Sequence, residues 1–166
     1  TGVFDDPLES HKGPVGNMIF SHEFYETDLS RGFVRGYGLQ VVRGFGPVHT
    51  AVGGLGGHRV PWGDDHHRVF AEQMGHTVAV GVMGEDLPEP QNQVTLDPEL
   101  ADSDGIPAPS VSYTVSENSR KMQDHGIARG TELMQAAGAK EVLVNPLLQG
   151  SGWHLMGTAR MGTNES

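Results

Sequence analysis

Ser116 to Gly138 reads SENSRKMQDHGIARGTELMQAAG, and this stretch decides the fold class. Ser116 is a helix-capping residue, and the run behind it has no proline and few β-branched residues, so the spacing predicts a helix over Glu117–Ala137 that Gly138 ends. Met122, Gly126, Gly130, Leu133 and Ala137 fall along one stripe of that helix. Two glycines inside the stripe remove side chains where the helix must meet something flat, which predicts a helix laid closely on a sheet.

The flanking sequence supplies the strands. His76–Met83 (HTVAVGVM) is the clearest, rich in β-branched residues and bounded by glycine and a Pro-rich break at Pro88 and Pro90. Asn92–Leu96 and Ser110–Val115 read as two more, separated by a turn-rich Asp97–Pro109 segment. Asn17–Tyr25, Gly32–Arg43 and Glu141–Asn145 complete the set, with internal glycines weakening Gly32–Arg43. Residues 1–16 read as an opening loop, and residues 44–63 as a glycine-rich loop holding one short turn of helix. Asp64 or Asp65 caps a second helix reaching about Met74, its apolar face made by Val69, Phe70 and Met74, with Gly75 as its stop. The expected architecture is α+β: an antiparallel or mixed sheet of about five or six strands with the long helix packed on one face.

Composition agrees. The 166 residues include 24 glycines and 10 prolines, too many for a helix bundle, and the 36% hydrophobic content suits one globular domain with a real core. A formal charge of −10, with three lysines and eight scattered arginines, argues against nucleic acid and anionic membrane surfaces as partners. No apolar run approaches the roughly 18 residues of a membrane span. The absence of cysteine rules out disulfides and thiolate chemistry and suits reducing and oxidising compartments alike, so location stays open. Neither end reads as a natural terminus, and both look interior to a longer polypeptide.

Several motifs invite function. Gly44-Phe45-Gly46 suggests a dinucleotide loop, but the third glycine of the fingerprint is missing, because His49 follows three residues after Gly46. His66 and His67 are adjacent, whereas a helical metal pair needs i, i+4 spacing, so they read as surface helix positions and no metal site is expected. His49, His58 and His76 carry no spacing signal. Gly152-Trp153-His154-Leu155-Met156-Gly157-Thr158-Ala159-Arg160-Met161-Gly162 places a histidine between apolar residues ahead of a Gly-Thr turn. Taken by itself, such a histidine is more often a satisfied core residue than a catalyst.

That segment resembles the C-terminal motif of glucose-methanol-choline (GMC) oxidoreductases, whose histidine faces the flavin. Asn92-Gln93-Val94-Thr95-Leu96-Asp97-Pro98, Asp104-Gly105-Ile106-Pro107, Ser112-Tyr113 and Ala136-Ala137-Gly138-Ala139 are similar to the family's ordered series, while the first ninety residues resemble it loosely, nearest to bacterial sugar and sugar-acid dehydrogenases. The resemblance implies an FAD-dependent enzyme oxidising the CH–OH group of an alcohol, sugar or sugar acid. In it His154 is the catalytic base, Trp153, Gly157 and Thr158 stand at the cofactor, and Arg160 and Met161 are structural. Residues 1–150 correspond to a substrate-binding domain and residues 151–166 to the start of the catalytic-histidine segment. The family's flavin-binding portion and second catalytic residue have no counterpart here, so this segment alone is expected to be inactive. Implied partners are an alcohol or sugar, the FAD-binding portion and an electron-acceptor subunit. The reading from another class is a non-catalytic, soluble β-rich binding or metal-binding domain that uses the histidines.

Overall fold

The computed structural model describes residues 1–13, 18–52, 60–145, 147, 154, 157, 161 and 162. In chain order the elements are β1 (Gly2–Val3), β2 (Ile19–Ser21), a 3-10 turn at Leu29–Arg31, β3 (Tyr37–Val42), α1 (Pro47–Val52), α2 (His66–Gln73), β4 (Thr77–Gly84), β5 (Gln93–Ala101), β6 (Pro107–Ser112), α3 (Glu117–Ala136) and β7 (Glu141–Val142). Five strands form one sheet in the order β2-β3-β4-β1-β7, and each neighbouring pair is antiparallel. β5 and β6 stand apart as a hairpin. The molecule is α+β, as the sequence indicates, but the hairpin does not join the sheet.

α3 begins where expected. Ser116 accepts a hydrogen bond from the Ser119 amide at 3.0 Å, satisfying one of the free N–H groups of the first turn. Its buried line is Ser119, Met122, Gly126, Gly130 and Met134. Leu133 and Ala137 of the expected stripe are exposed, because steps of four residues carry the line from 130 to 134. Gly126 is required by contact: a Cβ there would lie 2.5 Å from Val82 Cγ1 and 3.2 Å from the Tyr37 ring. β3 and β4 meet the helix through Tyr37, Leu39, Val80 and Val82, and with Phe33 and Met122 these make the core.

Other expectations need correction. Residues 1–16 are not simply a loop, since Gly2–Val3 is an interior strand between β4 and β7, with Val3 buried. Two residues are too short to show the period-2 pattern that marks a strand. β2 keeps three residues of Asn17–Tyr25, because the chain turns back at 22–25 with the Tyr25 amide bonded to the His22 carbonyl. β3 starts only at Tyr37, after Gly32 and Arg35 adopt positive φ. The turn expected over Asp97–Pro109 shrinks to 102–106, as β5 runs on to Ala101 and β6, at Pro107–Ser112, lies three residues earlier than read. β7 ends at Val142 rather than Asn145. α2 runs one residue short of Met74, with Gly75 at φ 81° behind it. Asp65 forms no cap hydrogen bond there, because its carboxylate pairs with Arg68 instead. The short helix expected within 44–63 is α1.

Candidate substrate cleft and the histidine motif

The two faces of the sheet differ. Residues directly opposite in an antiparallel pair share a face, and neighbours along a strand alternate. Tyr37, Leu39, Val80 and Val82 face α3, so Gly38, Gln40, Gly81 and Met83 face away from it, joined by Phe20 opposite Gln40. The Phe20 ring lies over Gly38, where a Cβ would come within 2.1 Å of it.

At the end of β3 and β4 there is an open cleft of about 310 Å³, lined by Phe20, His22, Tyr25, Gly36, Tyr37, Gly38, Met83, Gly84 and Glu85. Gly36 makes it possible. A Cβ at that position would meet the Tyr25 carbonyl at 2.0 Å, so only glycine lets the 22–25 turn lie against β3. The Tyr37 amide then bonds the Phe24 carbonyl at 3.0 Å. The turn presents an aromatic series, with Phe20 and His22 centroids 4.7 Å apart and His22 and Tyr25 edge-to-face at 5.7 Å. Phe20 and Tyr25 remain 42% and 61% exposed, so these rings are surface rather than core. Glu85 supplies the carboxylate, 3.4 Å from Arg35 Nε. Ring faces beside a carboxylate suit a molecule with both C–H and O–H surface.

On the opposite face Tyr37 and His125 form a hydrogen-bonded pair, 2.7 Å from hydroxyl to Nδ1, ringed by Phe24 and Phe33. Burial pushes the Tyr37 phenol up to about 12. Burial, and then the Arg129 and Arg31 charges, hold His125 below its ordinary value. Phenol and imidazole therefore both stay neutral near pH 7, hydrogen-bonded to each other through the hydroxyl and Nδ1. The pair satisfies its polar atoms under the helix and is structural.

Of the sequence-predicted site, His154 and Gly157 lie among the described residues. Both are exposed, and Gly157 has φ 90°, in the left-handed region. Trp153, Thr158 and Arg160 lie outside the described residues. Met161, read as structural, is 97% exposed. His66 donates from Nδ1 to the Pro61 carbonyl at 3.0 Å and stacks on Trp62 and Phe70, while His76 bonds the Phe4 carbonyl. Among the described residues no group of three His, Asp or Glu side chains gathers to hold a metal, and no helix is long and apolar enough to cross a membrane. Sequence reasoning missed the cleft, although FSHEFY (20–25) carries more aromatic rings than an edge strand needs.

The family's cofactor can be tested against the one glycine-rich turn that links a strand to a helix among the described residues, Gly44–Gly46 between β3 and α1. It does not fit a pyrophosphate. The Gly44 amide already donates to Ser10 Oγ at 3.1 Å, a Cβ at Gly44 would meet the Thr77 carbonyl, and α1 is six residues long.

Residues 88–166 match the family model described as GMC oxidoreductase. Over 161 residues the chain is 46% identical to a 2-methyl-1,2-propanediol dehydrogenase of Mycolicibacterium austroafricanum, covering 95% of this chain and 29% of that protein. Over 87 residues it is 32% identical to a fructose dehydrogenase large subunit of Gluconobacter japonicus, covering 52% of this chain and 16% of that protein. The chain thus spans less than a third of the length of the curated relatives it matches. The histidine motif, the ordered series before it and these matches agree: the chain belongs to the glucose-methanol-choline oxidoreductase family.

Proposed function

We propose that this chain is the substrate side of an FAD-dependent dehydrogenase that oxidises a small diol, polyol or sugar. The observation that carries the reading is an exposed His154 inside the family-matched segment, in a chain whose sheet offers an aromatic cleft on the face turned away from its helix. In this reading residues 1–150 are the substrate-binding domain and residues 151–166 open the catalytic-histidine segment.

FAD, held by residues beyond those described here, would supply the acceptor for the hydride that leaves the carbinol carbon. This chain's contribution is the proton. An alkoxide gives up hydride far more readily than an alcohol, so the hydroxyl proton must leave at the same stage. An imidazole takes a proton near neutral pH and returns it to water afterwards, which is the role assigned to His154. Trp153 excludes water from that proton, and Gly157 and Thr158 shape the turn that aims the ring. In the cleft, Phe20 and Tyr25 cover the C–H face of the substrate, and the Glu85 carboxylate accepts a hydrogen bond from a hydroxyl that is not being oxidised. The names of the two relatives support a hydroxyl-rich substrate, and the word subunit in one supports a separate electron-acceptor partner.

The test is substrate-dependent dye reduction by the protein at its relatives' length, using 1,2-diols, simple alcohols and sugars. Phe20→Ala and Glu85→Gln should raise KM for the best substrate about tenfold, with kcat little changed. A KM unaffected by both changes would remove the cleft from the reading.

A further inference from the structure

The cleft beside β3 and β4 has one charged wall. Among the described residues that line it, Glu85 carries the only carboxylate, and no lysine or arginine is present. Arg35, whose Nε lies 3.4 Å from Glu85 Oε1, stands outside the lining. The anionic half of the pair therefore borders the space and the cationic half does not. The remaining lining is rings, glycines and Met83.

The pair is anchored through its backbone. Arg35 has φ 66°, a left-handed conformation that glycine adopts freely and an arginine only under constraint. Its amide donates to Thr27 Oγ1 at 3.0 Å. One residue earlier, the Val34 amide donates to Asn118 Oδ1 at 2.8 Å, and Asn118 Nδ2 donates back to the Val34 carbonyl at 3.1 Å. Across the gap the Glu85 amide donates to the Gly36 carbonyl at 3.2 Å. Arg35 and Glu85 are thus fixed opposite each other just beyond the ends of β3 and β4. A strained residue beside a concave surface points to a use for the side chain it carries.

We propose that Glu85 is a charge filter: the cleft takes neutral hydroxyl compounds and turns away their carboxylate counterparts, with Arg35 as the positioning residue that holds Glu85 in place. The inference rests on reading the cleft as the substrate's, and it sets sugar acids aside in favour of neutral diols, polyols and sugars. A hydroxyl donates a hydrogen bond to the Glu85 carboxylate, whereas a second carboxylate in the same place meets like charge. An acid drawn to Arg35 instead would lie against Glu85, which already engages the guanidinium at Nε. The formal charge of −10 on the chain adds repulsion of the same sign at longer range. Because the Glu85 side chain is half exposed, the discrimination is modest in size and weakens with salt.

The experiment follows the methyl NMR signal of Met83, which lines the cleft, in the protein at its relatives' length. The titrants are propane-1,2-diol and lactate, which share a carbon skeleton and the C2 hydroxyl and differ in charge. At low salt the diol should bind about five- to tenfold more tightly, and about 0.5 M salt should narrow the gap to roughly twofold. Glu85→Gln keeps the shape and removes the charge. It should weaken the diol, bring lactate to equal or tighter binding, and abolish most of the salt dependence. Arg35→Gln leaves Glu85 charged but unheld, so the diol should weaken while lactate stays excluded, and Arg35→Lys should recover part of the diol affinity. Equal affinity for both compounds in the unaltered protein, a preference that survives Glu85→Gln, or no Met83 shift with either compound would overturn the proposal. Dye reduction by the unaltered protein tests the enzymatic reading on its own. Turnover of alcohols with a charge-blind cleft sinks only the filter, and selective diol binding without turnover sinks only the enzyme.

Discussion

The sheet-and-helix body and the β5–β6 hairpin apply the same binary pattern to opposite ends. In the body the apolar line of α3 is buried on β3 and β4, and Tyr37, Met122 and Val60 are almost wholly removed from water. In the hairpin an equally regular apolar ladder stands in solvent. The difference teaches that patterning reports which face wants cover, while the chain that supplies the cover is a separate question.

That comparison can be broken first at its glycines. Gly126→Val would drive a side chain into Val82 and Tyr37, and should cost roughly 2–3 kcal/mol in chemical denaturation. A cost near zero would mean the helix does not sit on the sheet as described. Gly105 in the hairpin turn is the counterpart, with φ 79° and no atom within 4 Å of an added Cβ. Gly105→Ala therefore meets only the left-handed backbone penalty, about 1 kcal/mol, confined to the hairpin and visible as faster local amide exchange.

Between these lies the Tyr37–His125 pair. Tyr37→Phe leaves Nδ1 without its hydrogen-bond partner under the helix, and should cost about 1–2 kcal/mol in the same denaturation assay. The smallest effect expected is on pH dependence. His125 is held below its ordinary value of 6.5, chiefly by burial, with Arg129 and Arg31 adding to the effect and Glu132 and Asp28 opposing it. Above about pH 6.5 the folded and unfolded forms are both neutral here, and this contribution is complete. Below it the unfolded chain binds a proton that the folded chain resists, so stability falls as pH drops from 6.5 through the folded value. His125→Gln should flatten that slope in a pH series of thermal unfolding, and an unchanged slope would count against the burial of the ring.

The fold was legible wherever one element carried its own signal. The Ser116 cap, the glycines of α3 and the β-branched run of β4 each act locally, so sequence found them. β1 was illegible because two residues have no period, and it becomes a strand only through Lys140, Leu143 and His76 on its neighbours. The hairpin's length was hidden by Asp97 and Asp102, which read as turn formers and do form turns, one of them inside a strand. The cleft was illegible because its shape depends on Gly36 admitting the Tyr25 carbonyl, a contact between residues eleven apart that no motif encodes. His154 is proposed only through resemblance, since an exposed histidine beside a glycine turn has no chemical signature of its own.

The central claim, that His154 is the proton acceptor, is tested most directly by anaerobic stopped-flow reduction of the bound flavin in the protein at its relatives' length. His154→Ala should slow reduction by roughly 10²–10⁴-fold, with substrate affinity and flavin content near normal. The loss should shrink as pH rises and hydroxide replaces the missing base. A reduction rate equal to that of the unaltered protein, or a loss accounted for entirely by unfolding, would contradict it.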